Sequence, residues 1–284
     1  MESAMNTLSV QEKSTILSLL AEGSSLRSIS RITGVARNTI SKLLLEAGER
    51  ASEIMNREMV NLDVNKLQVD EIWTFVGKKQ KRLKPEELNG DLGDQYVFVA
   101  MDAETKLVPA FRVGRRTGQM ANSFMMELST RIKTRFQLTT DAFVGYRDAV
   151  DRVFGSEIDY GQIHKQYREQ GKEEARRYSP GTIIRVDKKA ISGEPKWKDV
   201  STSYIERQNL TMRMQMRRFT RLTNAFSKSL KHLEAALAIH FFHYNWMRVH
   251  ETLRVTPAMQ VGISKHLRTW EEFLGWERKQ KVAA

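Results

Sequence analysis

The sequence lacks cysteine, and this absence excludes disulfide bonds and any zinc site built on thiolates. It also lacks an apolar run of the length that crosses a membrane. The longest candidate, residues 233–244, is interrupted by Glu234, His240 and His243. The first residues contain no apolar segment typical of a signal peptide. We therefore expect a soluble protein of a reducing, cytoplasmic compartment that has no membrane partner.

Acidic residues are outnumbered by basic ones. The 284 residues include 46 Lys and Arg against 34 Asp and Glu, which gives a net charge of +12. This excess favours a polyanionic partner, although charge alone fits ribosomal or membrane-surface binding equally well. With 40% hydrophobic residues, the chain can bury the core of one large or two small domains.

The N-terminal residues have the pattern of three short helices. Ser9 and Glu12 match a capping box, and Gly34 marks a tight turn before a third helix over residues 36–47. This outline predicts a helix-turn-helix. On the third helix the outward side chains are of types that contact bases and phosphates: Asn38, Ser41 and Lys42. The alternative is a small helical bundle used for protein contact.

Residues 49–65 are charged and weakly patterned, and they predict a linker that is partly helical. The segment LQVDEIWTFVG, residues 67–77, then predicts a strand with two carboxylates, Asp70 and Glu71, in an apolar run. A buried carboxylate costs several kcal/mol unless it is neutralised. The simpler interpretation is an edge strand whose acids face solvent. Because side chains alternate along a strand, we expect Glu71 to face away from a site that contains Asp70.

A second acid, Asp141, ends the predicted strand FQLTTDA, and a third, Glu206, begins a basic helix at YIERQN. The predicted order β-β-β-α-β-α-β-α indicates a mixed α/β layer whose first three strands are antiparallel. At 100° per residue Arg213 and Arg217 share the helical face of Glu206. An ion pair within the helix is the alternative role for this glutamate. Three carboxylates on two strand ends and one helix can converge on a pair of divalent metal ions.

Between these elements, residues 166–202 are rich in charge, Gly and Pro, and they predict an inserted flap without long-range periodicity. A surface excursion and a DNA-contacting loop are equal alternatives for this segment. Residues 221–284 predict a C-terminal helical region. Its histidines lack the spacing of a metal site, so we expect them to pack or to contact phosphate.

Four segments resemble bacterial DDE transposases of the insertion-sequence-one family in its longer, single-frame form. They are VDEIWTFVG, TDAFVGY, STSYIERQNLTMRMQMRRFTRLTNAFSKS and HYNWMRVHETLRVTPAM, and the resemblance covers roughly residues 67–262. It implies an α/β fold, an RNase H-like mixed sheet core flanked by helices, with an N-terminal helix-turn-helix domain and a C-terminal helical region. The expected boundaries are 1–48, 49–65, 66–220 with the insertion 166–202, and 221–284.

The resemblance also implies the chemistry. The acids that bind metal in the family fall on Asp70, Asp141 and Glu206, and the basic residue seven positions after the glutamate falls on Arg213. Two Mg²⁺ ions, with Mn²⁺ as a substitute, would bind between these carboxylates. We further expect Asp70 to bridge the two ions. Arg213 and Arg217 are expected to contact phosphate, and Asn209 to orient a phosphate or a ligand.

The expected partners are double-stranded DNA, both the terminal inverted repeats of the element and the target, and further copies of the chain. The family implies a bacterial, nucleoid-associated location. Two features depart from its compact members: the separation of 65 positions from Asp141 to Glu206, and the absence of a cysteine-based zinc ribbon. Both concern recognition of DNA ends. Two alternatives remain open: a catalytically inert, transposase-derived DNA-binding regulator, and a nuclease that acts on RNA–DNA hybrids or junctions.

Overall fold

The computed structural model describes residues 7–88, 90–168, 181–220 and 222–280, and it describes side chains as far as residue 275. Its helices are α1 (Val10–Ala21), α2 (Leu26–Thr33), α3 (Arg37–Glu58), α4 (Gly118–Arg131), α5 (Val144–Phe154), α6 (Ser203–Gln215), α7 (Leu230–Trp246), α8 (Pro257–Gln260) and α9 (Trp270–Gln280). Its strands are β1 (Lys66–Val76), β2 (Gly93–Asp102), β3 (Phe111–Gly114), β4 (Gln137–Asp141), β5 (Asp159–Tyr167) and β6 (Ile183–Ser192).

The chain divides into two compact units. The helical unit comprises Met1–Val60, Trp73–Tyr96 and Asn209–Ala284, and the sheet unit comprises Asn61–Ile72 and Val97–Gln208. Within the described residues, no helix combines the length and the apolar character that a bilayer crossing requires.

The strands form a six-stranded sheet in the order β3-β2-β1-β4-β5-β6. Strand β4 runs parallel to both β1 and β5, whereas β6 is antiparallel to β5. In the sheet unit Phe98 of β2 packs on Phe124 of α4 and Tyr146 of α5, with ring centroids 6.0 and 6.2 Å apart. The prediction of a mixed α/β sheet flanked by helices is therefore confirmed.

Strand β6 lies inside the segment that was predicted to be a flap. Residues 183–192 pair antiparallel with β5, from Tyr160↔Ser192 to Tyr167↔Ile183. Most side chains of β6 are exposed, so the strand carries no alternation of apolar and polar residues that a sequence pattern would reveal. Residues 169–180 of the predicted flap lie outside the described residues.

The predicted caps are present in the helical unit. Ser9 and Glu12 form the reciprocal bonds of a capping box at the start of α1, and Gly34 ends α2 with φ of 73°. Helix α3 continues to Glu58 instead of ending near residue 47. Its second half buries Ala51, Ile54 and Met55 and so keeps an apolar face. Most of the predicted linker is therefore helical.

Helices α3 and α7 of this unit approach each other closely at a glycine. A Cβ atom built on Gly48 would lie 2.4 Å from the Cα atom of Ala235. Helix α7 lies in residues 221–284, for which a helical region was predicted. Its Phe242 ring stacks on Trp246 at 4.9 Å and contacts Phe273 of α9 at 4.8 Å.

Candidate active site

Two aspartates lie side by side on the neighbouring strands β1 and β4, Asp70 within β1 and Asp141 at the carboxyl end of β4. The parallel register pairs Lys66 with Gln137 and Val69 with Thr140, so the next residue on each strand is Asp70 and Asp141. Adjacent strands lie about 4.8 Å apart, and this register therefore brings the two side chains together. The Asp141 Oδ1 atom accepts the Phe143 amide at 2.9 Å, and the Asp70 Oδ1 atom accepts the Glu71 amide at 2.9 Å.

The third predicted acid, Glu206, enters the same pocket from the first turn of α6. The side chain of Gln68, two residues before Asp70 on β1, accepts the amides of Tyr204 and Ile205 at 3.0 and 3.1 Å. Because these amides belong to the start of α6, Gln68 links the position of that helix to β1. The Glu206 carboxylate accepts hydrogen bonds from Lys165 of β5 and from the Thr202 hydroxyl.

Glu71 does not face away from the site, and that expectation was wrong. One carboxylate oxygen from each of Asp70, Glu71 and Asp141 lies within 4.8 Å of the others. Arg116 joins two of these groups: its Nε donates to Glu71 at 3.3 Å and its Nη2 to Asp141 at 3.2 Å. Strand β1 continues through both residues to Val76, so alternation alone predicted the wrong orientation, and Arg116 neutralises the buried Glu71.

The accumulated negative charge alters the acid–base properties of the site. Burial, followed by the nearby Asp141 carboxylate, raises the pKa of Asp70 to about 6. The same two causes raise the pKa of Glu71 to about 7. Burial, together with the carboxylates of Glu71 and Asp141, raises the pKa of the Tyr146 hydroxyl well above its ordinary value. The folded protein therefore holds protons on Asp70 and Glu71 more tightly than the unfolded chain does.

These side chains surround an open pocket of about 570 Å³ that lies entirely in the sheet unit. Acidic and basic groups line it, namely Asp70, Asp141, Glu206, Arg116 and Lys165, together with Phe143, Ile163, Tyr167 and Thr202. Carboxylate oxygens are the ligands that Mg²⁺ and Mn²⁺ prefer. Among the described residues the cluster of Asp70, Glu71 and Asp141 fits a divalent cation, and Glu206 offers a further carboxylate in the same pocket.

The residues predicted to contact DNA at the N-terminus differ in exposure. Asn38 and Lys42 are exposed on α3, and Lys42 lies 3.7 Å from Glu46. Ser41 is half-buried, and its Oγ lies 2.8 Å from Nε2 of His232 on α7. The contact with His232 directs Ser41 toward the protein interior of the helical unit. The DNA-binding role of all three residues stays a prediction.

The predicted basic face after Glu206 is interrupted. Helix α6 ends at Gln215, and Met216 takes an extended conformation with φ of −103° and ψ of 111°. Arg217 therefore begins a separate 3₁₀ turn and does not continue the helical face that was predicted to carry it. Asn209, which is buried, and Arg213, which is half-buried, lie in the part of α6 that belongs to the helical unit.

Reasoning from the sequence missed Gln68, Arg116, Lys165 and Thr202 in this site. The alternation of β1 could have identified Gln68, because residues 68 and 70 of a strand share a face. No local signal marks Arg116 or Lys165. They reach the acids from the β3–α4 connection and from β5, which only the strand order brings close.

No protein-family model matches the chain, and no curated protein matches it. Solved structures do. A piggyBac transposase synaptic complex with hairpin DNA is 11% identical, with a TM-score of 0.42 over 100% of this chain and 76% of that chain. A Mos1 transposase paired-end complex with the left transposon end is 11% identical, with a TM-score of 0.21 over 54% of this chain and 59% of that one. At these identities and TM-scores the similar structures carry no argument about function, and a function must be argued from the residues of the site.

Proposed function

We propose that the chain is a DDE-type DNA transposase of a bacterial insertion sequence, which cuts DNA strands at element ends and joins them to a target. The observation that carries this proposal is the neighbouring pair Asp70 and Asp141 on two parallel strands, with Glu206 in the same pocket. The strand order and the mixed sheet agree with an RNase H-like core. The four motifs of the sequence that resemble the insertion-sequence-one family support the particular reaction.

In this proposal Asp70, Asp141 and Glu206 would hold two Mg²⁺ ions. Bound metal would lower the pKa of the attacking water or 3′-hydroxyl and neutralise charge on the scissile phosphate. Gln68 fixes the first turn of α6 and thereby sets the position of Glu206. The amide of Phe143 orients Asp141 by binding its Oδ1 atom. These contacts preorganise the carboxylates before DNA arrives.

DNA recognition is assigned to other parts of the chain. Residues 1–48 would act as a helix-turn-helix that binds the terminal inverted repeats, with the exposed Asn38 and Lys42 nearest the DNA. Arg213, Arg217 and Asn209 would contact phosphate near the catalytic core of residues 66–220. The net charge of +12 agrees with such a partner. Joining two element ends requires at least two copies of the chain on DNA.

The test is a nicking assay on a supercoiled plasmid that carries the DNA flanking the gene. The purified chain is incubated with Mg²⁺, with Mn²⁺ or with a chelator. We expect nicks at the element ends that require metal and that are lost in both Asp141→Asn and Glu206→Gln. Loss of one carboxylate should lower the rate by about a hundredfold or more, because the metal ion that it holds would balance negative charge that develops in the transition state.

Matched controls separate the site from general effects of charge. Asp148→Asn on the exposed face of α5 and Glu157→Gln in the following turn change the same chemical groups outside the pocket. Both controls should nick DNA at the wild-type rate. Full metal-dependent nicking by Asp141→Asn would overturn the proposal. Protection of the element ends without any nicking would assign the chain instead as a DNA-binding regulator.

A further inference from the structure

Both carboxylate oxygens of Asp141 are already engaged in the metal-free protein. Its Oδ1 atom accepts the Phe143 amide at 2.9 Å, and its Oδ2 atom accepts Nη2 of Arg116 at 3.2 Å. The backbone amide can remain in place beside a bound cation. The guanidinium group carries a positive charge and binds the second carboxylate oxygen of Asp141. Any metal ion bound by Asp141 must therefore contend with Arg116.

Arg116 is held in this position from two further directions. Its Nε donates to Glu71, whose side chain is only 3% exposed, and its guanidinium carbon lies 4.1 Å from the centroid of the Phe143 ring. The Arg116 side chain itself is 36% exposed, so solvent and ligands can reach it. A buried carboxylate without a counter-ion costs several kcal/mol, so Glu71 strongly favours keeping this cation nearby.

The backbone brings Arg116 to the acids through a close helix approach. Arg116 directly precedes Thr117, the N-cap residue of α4, and Asp141 precedes α5. The starts of the two helices meet at glycines, because a Cβ atom on Gly145 would lie 3.2 Å from the Cα atom of Gly118. This packing fixes the distance between the β3–α4 connection and the end of β4.

We propose that Arg116 is a positioning residue that acts as an internal counter-ion. It neutralises Asp141 and Glu71 in the metal-free protein and competes with the divalent cation for Asp141. When a metal ion binds, the Arg116–Asp141 contact breaks, while Glu71 and the Phe143 ring keep the guanidinium at the pocket wall. The proposal rests on the metal site of the proposed function and adds Arg116 and Glu71 to it.

The test measures Mn²⁺ binding to the full chain without DNA, by calorimetry and by the electron paramagnetic resonance signal of free Mn²⁺. The variants are Arg116→Ala and Arg116→Gln, which remove the charge, and Arg116→Lys, which keeps it. We expect the charge-removing variants to lower the Kd of Mn²⁺ about three- to tenfold. An adjacent arginine alters the proton affinity of a carboxylate by about one to three powers of ten, and it opposes a metal ion in the same way.

The control is Arg152→Ala, which removes an equal charge from the exposed face of α5 and should leave the Kd unchanged. Arg116→Lys should stay near the wild-type Kd. Far-ultraviolet circular dichroism verifies folding, and Arg116→Gln decides the result if Arg116→Ala does not fold. An unchanged or raised Kd in a folded, charge-removing variant overturns the proposal.

The two proposals fail in different ways. Unchanged Mn²⁺ affinity together with metal-dependent nicking would reject the counter-ion role and leave the transposase in place. Tighter Mn²⁺ binding without nicking of any DNA would support the counter-ion role and reject the transposase. Absence of Mn²⁺ binding in wild type and variants alike would overturn both.

Discussion

Asp70 illustrates how a single side chain couples the site to stability. It is buried beside other carboxylates, and its pKa lies at about 6 against an ordinary value of 3.8. The folded protein therefore binds this proton more tightly than the unfolded chain does. The stabilising contribution of Asp70 is complete below about pH 4 and is lost as the pH rises through about 6.

We accordingly expect Asp70→Asn to gain stability relative to wild type as the pH rises from about 4 to about 7 in the presence of a chelator. The difference of about two between the folded and unfolded pKa of Asp70 corresponds to at most about 3 kcal/mol of unfolding free energy. Urea unfolding of both proteins across this range measures the difference, and contributions from histidines common to both cancel. If the difference in unfolding free energy between the two proteins does not change with pH, the pKa of Asp70 is not raised in the folded protein.

Added Mg²⁺ should reverse this ranking above about pH 7, because a bound cation removes the electrostatic cost in wild type but binds Asp70→Asn weakly.

Of the residues in this cluster, the sequence identified Asp70 and Asp141 from carboxylates in apolar strands. It gave the opposite orientation for Glu71, which the ion pair with Arg116 holds beside these acids. Arg116 and Lys165 arrive through tertiary contacts, for which no local pattern exists.

At the scale of elements, the contact between α3 and α7 depends on a glycine that local preference disfavours. Gly48 lies inside α3, where alanine would be favoured by about 1 kcal/mol. Its missing side chain leaves room for Ala235 of α7. The packing of the helical unit therefore overrides helix propensity at this position.

Gly48→Ala should destabilise the protein by about 2 kcal/mol or more, because the new methyl group meets the backbone of α7 and one helix must shift. The matched control is Gly275→Ala in α9, where a Cβ atom meets nothing within 4 Å. That substitution should stabilise by about 0.5–1 kcal/mol through helix propensity. Thermal and urea unfolding compare the two, and equal effects of the same sign would contradict the close approach.

Elements differ in how far the sequence predicts them. Helices α1 and α2 are predicted from their caps and glycines, and the structure confirms them. Strand β6 was missed because an exposed edge strand needs no apolar face, and its pairing with β5 holds it in place. The end of α6 at Gln215 was also missed, since no proline or glycine follows it.

At the scale of the whole molecule, the DNA binding of the proposed function should weaken steeply with salt, because the chain carries a net charge of +12. Lys42, whose side chain is 80% exposed on α3, is the cation that the helix-turn-helix proposal places nearest to DNA. A residue that contacts phosphate releases about one counter-ion when it binds.

Lys42→Ala should therefore weaken binding to the element ends and lower the slope of log K against log salt by about one. Lys265→Ala, an exposed lysine in the connection between α8 and α9, is the control and should leave the slope unchanged. Fluorescence anisotropy between about 50 and 200 mM salt measures both slopes. Equal slopes for the two variants would remove Lys42 from the DNA interface.

The sequence by itself determined the local features of this protein: helix caps, the apolar strands, the basic excess and the three acids Asp70, Asp141 and Glu206. These follow from interactions between residues close in the chain. Only the tertiary structure decided that Gln68 anchors α6, that Glu71 joins the acids, and that Arg116 and Lys165 pair with Asp141 and Glu206. Such contacts depend on strand register and helix packing, which bring distant residues together and leave no periodic trace in the chain.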